Sequence, residues 1–404
     1  MRLESPPPQA LAESAELVRR IGAEIDAAGG WIGFDRYQQR ALYEPGLGYY
    51  SGPNRVLGAE GDFVTAPEMS SLFGRCVAVQ CAQWLDGPGG TIVEFGAGSG
   101  ALAAQVLGAL HETGSAPAEY AIVELSAGLR DRQRRTIGAA VPQLLERVRW
   151  LDALPERIEG VVLANELLDA MPVRVFRCVA DDVFERGVAR VDDGALGWAE
   201  RPADERFAAR VRERLREAWG ARDDEPSARG AGAGRLQPAG PYVSELGEQA
   251  EAWVATVGAH LVRGAMLLVD YGFPRREFYH PQRDAGTLRC HYRHRAHDDP
   301  FLWPGLQDIT AHVDFTAAAE AALRAGLDVL GFASQARFLL DCGLLDAAAA
   351  IPRHDVRAWT RETSALQRLL SEAEMGELFK VIAFGRGVPD DALGFRTRDR
   401  RASL

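Results

Sequence analysis

Three things are scarce in this sequence, and each scarcity removes a class of protein. Cysteine occurs five times in 404 residues, an odd number with no Cys-x-x-Cys spacing. That argues against a disulfide framework or a thiolate zinc site and fits a reducing compartment. No apolar run approaches the ~20 residues that a membrane-spanning helix needs. Basic residues are outnumbered, with 46 Lys plus Arg against 57 Asp plus Glu and a formal net charge of −11. That balance argues against a chain-wide nucleic-acid footprint. Residues 1–9 are Pro-rich and lack a basic-then-apolar signal, and Glu4, Glu13 and Glu16 do not suit a transit peptide. The expectation is a cytoplasmic protein with neither membrane nor nucleic acid as partner.

Apolar residues make up 47% of the chain and charged residues 25%, the profile of a globular protein. The length suggests a core domain plus an accessory lobe or large insertions. Residues 11–28 read as an amphipathic helix with Leu17, Ile21 and Ile25 on one face. Residues 67–85 read as a second helix. From Thr91 onward, short β-prone runs alternate with helical patterns, at 91–95, 120–125 and 160–164. Such β-α-β-α-β alternation is the mark of a parallel sheet with helices on both faces. Residues 173–200 read as a β-meander and 204–219 as a charged, solvated helix. Residues 221–241 are poor in apolar side chains and read as a flexible insertion. A helix at 245–261 and strands at 265–269, 327–332 and 378–384 complete the core. Ser371 and Glu374 have the spacing of a capping box. The segments drawn are 1–85, a helical N-terminal lobe with a covering loop; 86–172, a Rossmann-like cofactor-binding half; 173–241, the β-rich and flexible insertion; and 242–404, the rest of the core.

The informative segment is Ile92-Val93-Glu94-Phe95-Gly96-Ala97-Gly98-Ser99-Gly100, between a strand and a helix. Its glycines permit a tight turn and close approach of a ligand to the backbone. The pattern alone also fits a dinucleotide-binding turn. Glu94 decides between them, because a carboxylate there would repel a pyrophosphate. It suits a ligand with an ammonium and a sulfonium and no phosphate, which is S-adenosylmethionine. Glu124, at the end of the next strand and before Leu125, is placed to accept the hydroxyls of a ribose. Asp152, followed by Ala153, could meet an adenine amino group. Asn165-Glu166 ends the third strand, where a reacting group would lie.

Several stretches together resemble the MidA-like protein arginine methyltransferases, a family that includes the mitochondrial complex I assembly factor. They are Tyr43 to Tyr50, Gly61-Asp62-Phe63-Val64-Thr65-Ala66-Pro67-Glu68, Val93 to Gly100, and Asn165-Glu166-Leu167-Leu168-Asp169-Ala170-Met171-Pro172. Asp270-Tyr271-Gly272, residues 294–298 and residues 307–315 extend the match over most of the chain. The resemblance implies a class I methyltransferase fold, S-adenosyl-L-methionine as cofactor, and methylation of an arginine on a complex I subunit-like protein. It places Asn165 to Pro172 beside the transferable methyl and Gly61, Asp62 and Phe63 over the cofactor. Cofactor contacts are expected at Glu94, Phe95, Gly96, Ala97, Gly98, Gly100, Glu124, Leu125, Asp152, Ala153 and Asn165. For an arginine acceptor, an acid must orient the guanidinium and take a proton, and Glu166 is the first choice, ahead of Asp169, with Asn165 alongside.

Other readings compete with this one. They are a small-molecule methyltransferase on the same scaffold, a nicotinamide-dependent oxidoreductase and a non-catalytic assembly chaperone. His291, His294 and His297, next to Cys290, have the look of a metal site. Interleaved Arg289, Arg293 and Arg295 would repel a cation, so no metal is expected there. Tyr37, Tyr43, Tyr49, Tyr50, Phe63 and Phe73 read as the core of a small lobe. A homodimer is allowed by the sequence.

Overall fold

The computed structural model describes residues 3–52, 65–85, 90–191, 194–220, 240–351, 354 and 356–404. Backbone contacts divide the chain into two compact units, each assembled from separated stretches. One comprises Met1–Val56, Asp169–Ala250 and Phe273–Asp314; the other comprises Leu57–Leu168, Glu251–Gly272 and Phe315–Leu404. The consecutive segments drawn from the sequence therefore cut across both units.

The second unit is built on seven strands. They are β1 (Thr91–Phe95), β2 (Glu119–Val123), β3 (Val148–Leu151), β4 (Ile158–Asn165), β5 (Leu261–Phe273), β6 (Asp328–Ser334) and β7 (Phe379–Arg386). They lie side by side in the order β3-β2-β1-β4-β5-β7-β6. Pairs from β3 to β5 are parallel, whereas β7 runs antiparallel to both β5 and β6. This is the Rossmann-like α/β core expected of a class I methyltransferase. Its strands are apolar without alternation, as in Val161, Val162, Leu163 and Ala164, because both faces are covered. The helices Ser71–Leu85 and Ala101–Glu112 bury Phe73, Cys76, Val77, Cys81, Leu102, Val106 and Leu107 in one continuous core with Ile92, Tyr120 and Ile122. Strand order reverses between β1 and β4, which opens the crevice where ligands of such sheets bind, at the carboxyl ends of the strands.

The first unit contains an antiparallel sheet of Ile32–Gly33, Arg174–Val179, Asp182–Arg190, Leu196–Pro202 and Tyr242–Leu246. The meander expected at 173–200 is its centre. The helix Glu205–Trp219 packs Phe207, Val211 and Leu215 against Phe176 and Tyr242, and Asp204 caps it by accepting from the Phe207 N–H at 2.9 Å. It is therefore amphipathic, not the solvated helix its charge suggested. The helix Pro8–Ala27 buries Leu17, Ile21 and Ile25 as its periodicity predicts.

Some expectations change. Residues 67–85 form two helices, Ala66–Met69 and Ser71–Leu85, because Ser70 is extended at φ −150. Residues 242–246 are a strand, and the helix placed at 245–261 spans Glu248–His260. The box at Ser371 and Glu374 does not form: the helix Met375–Leu378 has no side-chain cap. Tyr37 and Phe73 are both buried, but in different units rather than one lobe. Phe63 and most of 221–241 lie outside the described residues.

Candidate active site

The glycine turn after β1 has the backbone its sequence requires. Gly96, Gly98 and Gly100 have φ of 68, 53 and 85, a left-handed region that L side chains avoid. A Cβ on Gly98 would meet nothing closer than the Gly96 carbonyl oxygen at 3.9 Å, so its outer side is open to a ligand. A Cβ on Gly100 would instead lie 3.0 Å from Gln133 Cα, which explains why the third glycine packs inward. Phe95 and Ala97 are buried, and Phe95 meets Trp253 edge-on at 5.2 Å.

Glu94 sits below this turn with 2% of its surface exposed, and its Oε2 accepts from the Tyr120 hydroxyl at 2.8 Å. Burial pushes its carboxyl up to about 7, a rise that the Tyr120 hydrogen bond opposes. It is enclosed beside Tyr120 and Cys81 of the Ser71–Leu85 helix.

At the end of β2, Glu124 accepts from the Ser126 N–H at 2.9 Å through Oε1 and from Gln133 Nε2 at 3.2 Å through Oε2. Gln133 is fully buried; its Nε2 also donates to the Gly98 carbonyl at 3.2 Å, and its Oε1 accepts from Trp150 Nε1 at 2.9 Å. One amide thus ties the glycine turn to the acid expected to hold a ribose. The next residue, Leu125, is 77% exposed, an apolar platform beside that acid and fit to cover an adenine ring. Asp152 is exposed, as is Ala153, and its carboxylate pairs with Arg130 at 2.5 Å. Arg130 also donates to the Glu124 and Leu151 carbonyls, so it braces the ends of β2 and β3.

At the end of β4, Asn165 Nδ2 donates to Glu166 Oε1 at 3.0 Å. Glu166 has φ 52, a conformation costly for a residue with a side chain and one that gathers at functional sites. It is held there from both sides. Its N–H donates to the Val269 carbonyl at 2.8 Å. Asp270, buried at the end of β5, accepts from Leu167 N–H at 3.2 Å and Leu168 N–H at 2.8 Å through Oδ2, and from Tyr271 N–H through Oδ1. Asn165 Oδ1 is buried and has no donor among the described residues.

The second unit therefore brings together Glu94, the glycine turn, Glu124, Leu125, Asp152, Ala153, Asn165 and Glu166 at the carboxyl ends of β1 to β4. Asp169 is buried in the first unit, where its carbonyl accepts from the Ala311 N–H at 2.9 Å. Gly61, Asp62 and Phe63 lie outside the described residues. S-Adenosylmethionine fits the set: open glycine backbone, a free-facing apolar platform, a carboxylate beyond it and an orphaned amide oxygen at Asn165. Sequence reasoning missed Gln133 and Tyr120, and left Asp270 without a role. His291 and His297 lie on the strands Arg289–Tyr292 and Arg295–His297 of a hairpin, with Arg293 and His294 at its left-handed turn.

The comparisons agree with this geometry. Residues 76–333 match the family model described as "Putative S-adenosyl-L-methionine-dependent methyltransferase". A Burkholderia thailandensis protein solved bound to S-adenosyl-homocysteine is 50% identical, with a TM-score of 0.90 and 100% of both chains covered. Protein arginine methyltransferase NDUFAF7, mitochondrial, from Danio rerio is 28% identical, covering 90% of this chain and 85% of its own length. The Mus musculus protein of the same name is also 28% identical, covering 96% of this chain and 87% of its own.

Proposed function

The chain belongs to the S-adenosyl-L-methionine-dependent methyltransferase family that matches residues 76–333, and on that premise we propose that its methyl acceptor is an arginine side chain of a protein. The observation that carries this reading is the carboxylate of Glu166, set on a left-handed backbone, hydrogen-bonded by Asn165 and followed by the Asp270-anchored turn at the end of β4. The names of the two animal relatives support it.

The bound cofactor supplies an electrophilic methyl on sulfur. The protein's task is then the acceptor's charge. A guanidinium is protonated at any physiological pH and is a poor nucleophile. Glu166 pairs with its N–H groups, orients one nitrogen toward the methyl and accepts the proton that nitrogen releases. The N–CH₃ bond forms as the S–CH₃ bond breaks, leaving S-adenosylhomocysteine. Positioning alone can supply up to ~7–11 kcal/mol of such a barrier.

The test is to incubate the chain with labelled S-adenosylmethionine and a lysate lacking the enzyme, then locate the label. Label on an arginine of one protein band supports the proposal, and a complex I subunit-like protein is the first to assay. Label in a small molecule, or on another residue type, contradicts it.

A further inference from the structure

Within the second unit, the described residues leave three buried side-chain acceptor oxygens without a donor: Glu68 Oε2, Asn165 Oδ1 and Gln335 Oε1. An enclosed acceptor with no donor destabilises the fold, the more so if it is charged. Gln335 uses its amide to hold the Leu369 carbonyl, which fixes that side chain locally. Glu68 and Asn165 have a different setting, each on an element joined either to the strand before the glycine turn or to the helix after it. Asn165 ends β4, which pairs with β1 up to Phe95 and Ala164. Glu68 lies on the short helix Ala66–Met69, which is stapled to the helix that follows the turn. Gln105, five residues beyond Gly100, donates Nε2 to the Pro67 carbonyl at 2.6 Å and accepts from the Gly74 N–H at 3.1 Å.

We propose that Glu68, with the Asn165 amide oxygen, receives the α-ammonium of the cofactor's amino-acid end. The inference rests on the cofactor assignment above. An ammonium brings three N–H donors and one positive charge, enough to serve two oxygens that have no donor of their own among the described residues. Glu94, the acid the sequence points to for this cation, is already hydrogen-bonded by Tyr120 and enclosed beneath the turn. Glu94 thus shapes the floor of the site, and Glu68 is the residue that reads the charge. Glu68 is 26 residues upstream of Glu94, at the end of the Gly61-to-Glu68 stretch that the family resemblance includes.

The test compares two ligands by isothermal titration on the full chain. S-Adenosylhomocysteine has the amino-acid end; 5′-methylthioadenosine keeps the adenosine and thioether but lacks it. Glu68→Gln should weaken S-adenosylhomocysteine at least tenfold and leave 5′-methylthioadenosine within twofold of wild type. Equal losses for both ligands would make Glu68 a packing residue and overturn the proposal, as would an unchanged affinity for S-adenosylhomocysteine. Failure of wild type to bind either ligand would instead remove the cofactor assignment on which the proposal stands. If Glu68→Gln does not fold, Glu68→Asp gives the same comparison, since it keeps the charge but withdraws the oxygen by one methylene.

Discussion

Gln133 Nε2 lies 3.2 Å from Glu124 Oε2 and 3.2 Å from the Gly98 carbonyl, so one buried amide sets the distance between the turn after β1 and the acid after β2. Neither contact could be fixed by chain neighbours: Gln133 is 35 residues from Gly98. The helix Ala127–Ala140, capped by Ser126, carries the amide to both.

Replacing Gln133 by Leu should therefore act on the ribose subsite. The change strands the Trp150 indole N–H and the Gly98 carbonyl, at a cost of about 1–3 kcal/mol in stability. S-Adenosylhomocysteine affinity should fall about tenfold, or ~1.4 kcal/mol. Loss of Glu124 placement should also shrink the wild-type preference for S-adenosylhomocysteine over its 2′-deoxyribose analogue. Calorimetry with both ligands checks this. An unaltered preference would mean that Gln133 serves stability alone.

Glu94 predicts a pH dependence whose sign is set by burial. Its carboxyl is raised from 4.5 to about 7 in the folded chain, so the native state binds this proton more tightly than the unfolded state. Its contribution to stability is greatest below pH 4.5 and declines as pH rises toward 7. Glu94→Gln removes that decline while keeping an acceptor for the Tyr120 hydroxyl. At pH 8 the variant should be more stable than wild type by on the order of 2 kcal/mol, with the difference vanishing near pH 4.5. Urea unfolding at the two pH values measures it; parallel pH profiles would contradict the assignment.

Asp270 predicts a split between stability and turnover. Its carboxylate accepts from three backbone N–H groups, two of them in the turn that follows Glu166. Asp270→Ala leaves those donors unpaired and should cost about 2–4 kcal/mol, within the range known for broken buried networks. Asp270→Asn keeps one acceptor oxygen and should fold, yet misplace Glu166. Its turnover should drop at least tenfold while S-adenosylhomocysteine affinity stays within threefold. Equal losses in both would place Asp270 in cofactor binding.

The strand-glycine-helix unit at 91–112 was legible because its signals are local: a β-branched run, three glycines and an Ala/Leu helix. The apolar runs at 160–164 and 265–269 were legible for the same reason, since strands covered on both faces need no alternation. Contacts across the chain were not legible. Tyr120 reads as one more apolar strand residue, and nothing near it announces a bond to Glu94. Asp270 reads as a strand end until β5 is laid beside β4. Tyr242-Val243-Ser244-Glu245-Leu246 is too short and mixed to separate from the helix that follows it, and tertiary pairing with Arg174–Val179 decides it. The hairpin at 289–297 was not legible either: no Gly or Asn marks its turn, where Arg293 and His294 take left-handed conformations.

Glu166 is proposed as the acid that takes the acceptor's proton. The most direct measurement of that role is methyl transfer and S-adenosylhomocysteine binding by Glu166→Gln beside wild type. The expected result is affinity within twofold and a transfer rate lowered by about 10²–10⁴, the range typical of a lost general base. A variant that transfers methyl at the wild-type rate would contradict it.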